Sequence, residues 1–249
     1  MPDSGAVLVL HGFTANARTV EFLSDRLDRE GLPRSTPVLR GHGTRWEDLR
    51  GVRGADWLED AERAYAALKE RHGRVVIVGH SVGGLVAGHL AAQHPEAPGL
   101  VLIAPAIRYV NPAVRFLPVM RPFLRSWPAG QPSVNDPELK VKIAGVNYER
   151  FPITAFEECF KLSALAPEEL GQVRCPALVI MPRHDQVIQP VSGEIALRSL
   201  GSAEKRLVWL ERSNHEVFWD SERALASDLI VGFARSRLGW PEAASMATT

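Results

Sequence analysis

Residues 75–88 read VVIVGHSVGGLVAG. An apolar, β-branched run stops at a serine fenced by glycines and continues into small residues. A buried strand feeding directly into a helix belongs to a parallel sheet with helical crossovers, which already excludes most folds. The spacing Gly79-x-Ser81-x-Gly83 also has a physical reason. A serine at the tip of a sharp strand-to-helix turn has a strained backbone, and a side chain at either flanking glycine would strike the neighbouring strand or helix. Such a turn, the nucleophile elbow, lifts the hydroxyl clear of the sheet. It also leaves the N–H of Val82, at the start of the helix, free to face a developing oxyanion. Without chemistry, the same stretch is an ordinary turn in a doubly wound sheet. Its partners elsewhere in the chain decide between the two.

The rest of the chain repeats the strand–helix alternation. AVLVL (6–10), RSTPVL (34–39), RVVIVG (74–79), GLVLIA (99–104), PALVIM (176–181) and KRLVWLE (205–211) read as strands. Residues 17–31, 54–73, 82–94, 190–200 and 216–237 carry helical spacing, the second with Trp57, Leu58, Ala61, Tyr65 and Leu68 on one face. This predicts an α/β fold with a mostly parallel central sheet covered on both faces. The alternation breaks over 105–170, a proline-rich stretch with no clear strand. The expected organisation is a core of 1–104 and 171–239, a small cap inserted at 105–170, and an unstructured tail at 240–249.

Composition narrows the function classes. Lys plus Arg and Asp plus Glu both number 29, so the formal net charge is zero, which argues against a nucleic-acid binder that works by neutralising phosphates. Apolar residues make up 45% of 249, enough for one large core. Cys159 and Cys175 have neither metal nor redox spacing. The N-terminus lacks a basic region and no apolar stretch approaches a membrane span, so a soluble, cytoplasmic chain is expected, with no membrane span.

A serine hydroxyl needs a base, and that base needs an orienting carboxylate. On a strand–elbow–helix scaffold the chain order is serine, acid, histidine. Six of the eight histidines lie within the first 94 residues; only His184 and His215 follow the 105–170 segment. His215, in LERSNHEVFWD, follows the last strand and is the expected base. Asp185, in MPRHDQVIQP, is the expected acid; adjacent residues on an extended chain point apart, so His184 and Asp185 do not both face one site. Glu211 is a poorer acid because it ends a strand. HGF at 11–13 supplies a second oxyanion donor, the Phe13 N–H. RGHGT (40–44) reads as a structural loop, with His42 outside the order needed for a base.

These stretches, LVLHGFTAN, LRGHGT, DWLEDAERAYAAL, VGHSVGG, MPRHDQVIQP and SNHEVF, occur in family order and resemble the α/β-hydrolase superfamily. More narrowly, they resemble its bacterial carboxylesterase and monoacylglycerol-lipase-like branch. The resemblance spans residue 7 to about 237 and is weakest over 105–170. It implies a catalytic triad of Ser81, Asp185 and His215, an oxyanion hole from the Phe13 and Val82 amides, and a cap over the site. It implies no cofactor and no metal. The serine argues against dehalogenases, which carry aspartate there. Carboxylic-ester hydrolysis through an acyl-enzyme is the expectation; a thioesterase or acyltransferase using the same triad, a C–C hydrolase and a non-catalytic binding module are the alternatives. The expected substrate is a small-molecule or lipid ester.

Residues 107–130 carry Arg108, Arg115, Arg121 and Arg125 among apolar side chains and contain no acid. They read as a lid over the acyl pocket, with transient lipid-interface contact as the rival reading. The expected substrate-lining set is Phe13, Ile107, Phe116, Phe123 and Val187. FEECFKL (156–162) reads as a cap helix, with Cys159 packed inside.

Overall fold

A computed structural model describes residues 5–240. The chain runs through β1 (Ala6–Leu10), α1 (Glu21–Arg29), β2 (Arg34–Ser35), α2 (Gly54–His72), β3 (Val75–His80), α3 (Val82–Gln93) and β4 (Leu100–Ile103). The next segment holds α4 (Leu117–Met120), β5 (Ser126–Pro128), α5 (Pro137–Ile143), β6 (Arg150–Pro152) and α6 (Ile153–Leu170). The core resumes with β7 (Ala177–Pro182), α7 (Val191–Ser199), β8 (Lys205–Leu210) and α8 (Arg223–Leu238).

Six strands form one parallel sheet in the order β2-β1-β3-β4-β7-β8. Strands β1, β3, β4 and β7 are buried along their whole length, which is why their sequences are unbroken apolar runs instead of alternating ones. β3 lies inside the sheet, between β1 and β4, with Gly79 opposite both Leu10 and Leu102. Its carboxyl end therefore opens onto the crevice where sites form in such sheets.

Several elements differ from the sequence expectation, each for a local reason. The strand expected over 34–39 keeps only Arg34 and Ser35. Pro37 has no N–H to give a ladder, and the Leu39 N–H donates instead to His11 Nε2 at 3.1 Å. The helix expected over 216–237 is split into a 3-10 turn, Val217–Trp219, and α8. The helix expected over 156–162 is longer, Ile153–Leu170. The segment expected to lack strands contains an antiparallel pair, β5 and β6, with Trp127 opposite Phe151. Strands of three residues are too short to show a period of two.

Cys159 and Cys175 are buried and free. Trp240, expected at the start of the tail, packs against the core; the remaining tail, 241–249, lies outside the described residues. Among the described residues no helix is long and apolar enough to cross a membrane.

Candidate active site

Ser81 sits between β3 and α3 with φ 57° and ψ −120°, a left-handed conformation that side chains rarely adopt. The flanking glycines permit it. A Cβ on Gly79 would stand 2.1 Å from the Gly83 carbonyl oxygen, and one on Gly83 would stand 2.4 Å from that of His11. No side chain fits at either position, and neither obstacle is a flexible group.

The loops after β7 and β8 bring two further groups to this turn. His215 Nε2 lies 3.0 Å from Ser81 Oγ, and His215 Nδ1 lies 2.8 Å from Asp185 Oδ2. The Asp185 side chain is fully shielded and that of His215 is 7% exposed. Asp185 Oδ1 accepts the N–H groups of Val187 and Ile188, 2.8 Å each, which locks the carboxylate in place. His184 is exposed, and Glu211 faces outward to pair with Arg183 at 2.8 Å.

Phe13 and Val82 both line the cavity that Ser81 enters. Val82 opens α3, so its N–H has no partner within the helix. The 12–13 peptide is held by His11. Because His11 Nε2 accepts from Leu39, its Nδ1–H donates to the Gly12 carbonyl at 2.8 Å. That carbonyl is thereby occupied, and the Phe13 N–H lies on the opposite edge of the same planar unit. Gly12 passes so close to Ser81 that an added Cβ would lie 3.1 Å from the serine's own.

The cavity measures about 120 Å³ and has two characters. Phe13, Tyr109, Phe151, Phe156 and Val187 form an apolar side; Ser133, Asn147, Tyr148 and Glu216 form a polar one. Phe151 stacks on Phe156 at 4.9 Å, and Phe13 meets both edge-on or tilted at 5.4 and 5.8 Å. The 105–170 segment supplies much of this lining. It is tied down by Tyr148 N–H to Thr14 O at 2.9 Å and by Tyr148 Oη–H to Gly41 O at 3.0 Å.

The family model described as "Serine aminopeptidase, S33" matches residues 2–222. The chain belongs to that family. Across 94% of its length it is 28% identical to the thermostable monoacylglycerol lipase of Bacillus sp. (strain H-257), covering 91% of that protein. It is 27% identical to a carboxylesterase of Bacillus subtilis (strain 168), with 94% of each covered. A solved structure from work on LipS and LipT, two metagenome-derived lipolytic enzymes, superposes with a TM-score of 0.87 at 30% identity over 95% of both chains. The protein is an α/β-hydrolase of the carboxylesterase and monoacylglycerol-lipase-like branch.

Within this hydrolase the expected lining set needs correction. Phe13 and Val187 reach the cavity; Ile107, Phe116 and Phe123 do not. Ile107 lines a neighbouring cavity of about 350 Å³, and Phe116 and Phe123 point outward, 59% and 87% exposed. The prolines around them break this stretch into a short 3-10 turn and the single-turn α4, which leaves no continuous apolar face to fold inward. Their place is taken by Phe151, Phe156 and Tyr109. The run RFPITAFEECF held that signal, an aromatic pair five residues apart at the start of a cap helix.

Sequence reasoning also missed what holds His215. Asn214 Oδ1 accepts the N–H groups of Gln186 and His215, joining the Asp185 loop to the His215 loop. Asp220 accepts from the N–H groups of Asn135, Asp136 and Asn214, and Glu222 from those of Glu211, Arg212 and Ser213. These carboxylates interrupt the expected last helix because their oxygens serve the loop.

Burial dominates the ring electrostatics. It pushes His11 down to about 4 and His42 to about 3, and lowers His80, so all three are neutral at pH 7. Burial acts the same way on His215, but the charge and hydrogen bond of Asp185, joined by the charge of Glu216, outweigh it and raise the imidazole above its usual 6.5.

Proposed function

We propose that the protein hydrolyses carboxylic esters through a covalent acyl-enzyme on Ser81. The observation that carries this is the unbroken hydrogen-bond chain from Ser81 through His215 to Asp185, anchored on a strained elbow. Ser81 Oγ attacks the ester carbonyl carbon while His215 Nε2 takes its proton. The N–H groups of Phe13 and Val82 receive the developing oxyanion. Asp185 keeps the imidazole in the tautomer with Nδ1–H and stabilises its cation. His215 then protonates the departing alkoxide, and water repeats the sequence on the acyl-enzyme to release the acid.

The 105–170 segment acts as the cap, with the acyl chain against Phe13, Phe151 and Phe156. The substrates are small-molecule or lipid esters, the class for which the full-length relatives are named. Phe116, Val119 and Phe123, exposed beside Arg115 and Arg121, suit transient contact with a lipid surface.

The test is initial rates on p-nitrophenyl esters from two to sixteen carbons, with Ser81→Ala alongside. Activity that peaks at one chain length and disappears in the variant supports the nucleophile and sizes the acyl site. Equal, weak rates in both proteins would remove the proposal.

A further inference from the structure

The second cavity, of about 350 Å³, lies where the loop after β4 meets α6 and the loop leading to α7. Its size falls within the roughly 300–1,000 Å³ of small-molecule sites. Arg108 and Arg115 line it, and among the described residues no acid does. Neither guanidinium has a hydrogen-bond or ion-pair partner among the described residues, whereas Arg26, Arg34, Arg40 and Arg235 each hold a carboxylate. Asn111 adds a further donor: its Oδ1 accepts the Ala113 N–H at 2.9 Å, which leaves the NH2 group available.

The same space has an apolar wall of Ile107, Val114, Phe160 and Ala164. Its other polar side chains are largely committed. Ser163 Oγ–H donates to the Ala106 carbonyl at 2.6 Å, and Gln189 Nε2 donates to that of Tyr109 at 2.9 Å, keeping one acceptor oxygen. What is left over is therefore mostly positive and donating at one side and hydrocarbon at the other. A ligand that suits both has an anionic head and an apolar tail.

The two cavities share Tyr109 but differ in the sign of their charge. Apart from the histidines, the one charged side chain among the described residues lining the Ser81 cavity is Glu216, and its charge acts on His215. A neutral ester is indifferent to that difference. Hydrolysis turns its acyl half into a carboxylate, which is ionised at neutral pH. The new anion is repelled by Glu216 and attracted towards Arg108 and Arg115.

We propose that this second cavity is an accessory site for a long-chain carboxylate, the acid product of the reaction, with the carboxylate on Arg108 and Arg115 and the chain along Ile107, Val114 and Phe160. The ligand's being the product rests on the ester-hydrolase reading; the chemistry of the site does not. Guanidinium groups match a carboxylate in geometry as well as charge, so the acid binds and the uncharged alcohol of the same length does not. Affinity grows with chain length as more methylenes leave water. Because the site stands apart from Ser81, it fills while the Ser81 cavity is occupied.

The experiment is equilibrium dialysis of laurate, below its micelle concentration, against the full chain before and after Ser81 is blocked with diethyl p-nitrophenyl phosphate. Laurate binds the blocked protein as it binds the free one, while dodecanol and acetate bind at least about tenfold more weakly. Arg108→Gln combined with Arg115→Gln weakens laurate by about tenfold, the size expected of two exposed charge pairs, and leaves kcat/KM on p-nitrophenyl acetate unchanged. Both arginines are exposed, so the variant folds. Loss of laurate binding on blocking Ser81 would place the acid in the acyl site and overturn the proposal. So would dodecanol binding as tightly as laurate, or a double variant that binds like the wild type. Vesicles containing phosphatidylglycerol that bind through the two arginines, with no binding of free laurate, would assign them to a lipid headgroup and overturn it too. Failure of the organophosphate to block Ser81, with no hydrolysis of p-nitrophenyl acetate, instead overturns the ester-hydrolase reading; laurate binding to Ser81→Ala is read separately from that result.

Discussion

Asp185 holds His215 with one oxygen and its own loop with the other: Oδ2 faces His215 Nδ1 at 2.8 Å, while Oδ1 takes the N–H groups of Val187 and Ile188. This division makes Asp185→Asn informative. Two backbone donors require the amide oxygen to stay at the Oδ1 position, so the NH2 group must occupy the place of Oδ2. It would then donate to His215 Nδ1 and push the ring proton to Nε2, where the ring can no longer accept from Ser81 Oγ. The expected outcome is a fall in kcat of about 10⁴-fold on a p-nitrophenyl ester, with little change in the melting temperature. A loss below tenfold would show that Asp185 does not set the tautomer.

The pH–rate profile follows from the same pair. His215 acts as a base only when neutral, and Asp185 and Glu216 together overcome burial to raise its pKa above 6.5. The acid limb of kcat/KM therefore has its midpoint above 6.5, with activity rising as the pH increases. Glu216→Gln removes one raising charge and moves that midpoint to lower pH. A profile flat from pH 5 to 9, or an acid limb that Glu216→Gln leaves in place, contradicts this assignment.

The elbow glycines answer to sterics before chemistry. A methyl group on Gly83 meets the backbone carbonyls of His11 and Leu10 at 2.4 and 2.5 Å, on the loop that carries Phe13. Neither carbonyl can swing away without moving β1. Gly83→Ala is expected to cost about 3 kcal/mol, read as a drop in the denaturant midpoint. Gly232→Ala has nothing within 4 Å of the new Cβ and is the control.

This is why the site was more legible than the cap. Ser81 and Asp185 follow buried strands and His215 follows the edge strand β8, and the parallel strand order carries all three to one edge whatever the loops do. Gly79 is constrained by Gly83 and Ala87, within two turns of chain, and Gly83 by the adjoining β1 backbone at Leu10 and His11. The cap has no such local rule. Phe116 and Phe123 are as apolar as Phe151 and Phe156, and only the β5–β6 pairing and the course of α6 decide which pair turns inward. Asn214, Asp220 and Glu222 were hidden for another reason: their hydrogen bonds run to backbone N–H groups of irregular loops, which leave no periodicity in the sequence.

Buried neutral histidines predict an acid sensitivity separate from catalysis. His11 and His42 have folded-state values of about 4 and 3 against 6.5 when exposed. Between those limits the unfolded chain binds protons that the folded chain refuses, so stability is full above 6.5 and falls as the pH drops towards 4. The contribution of His11 alone is roughly 3 kcal/mol. His11→Asn is expected to flatten the dependence of unfolding free energy on pH between 6.5 and 4; an unchanged slope would rule out His11 as its source.

Tyr109 lines both the 120 Å³ cavity at Ser81 and the 350 Å³ cavity beside it, and its ring packs on Phe156 and Phe160 at 5.1 and 5.3 Å. Tyr109 is the residue the two cavities share, so its ring limits how far an acyl chain at Ser81 extends towards the larger one. Tyr109→Ala would join the two spaces along an apolar path past Phe160 and Ile107. The chain-length optimum on p-nitrophenyl esters is therefore expected to move to longer acids, with the rate ratio of twelve to four carbons increasing about tenfold, the gain from burying about two more methylenes at about 0.8 kcal/mol each. Truncating a packed aromatic also loosens the fold and lowers the absolute rates on every ester; the ratio is unaffected by that loss. If the ratio stays at its wild-type value while the protein remains folded, the acyl chain leaves the site by another route, and Tyr109 is a packing residue alone.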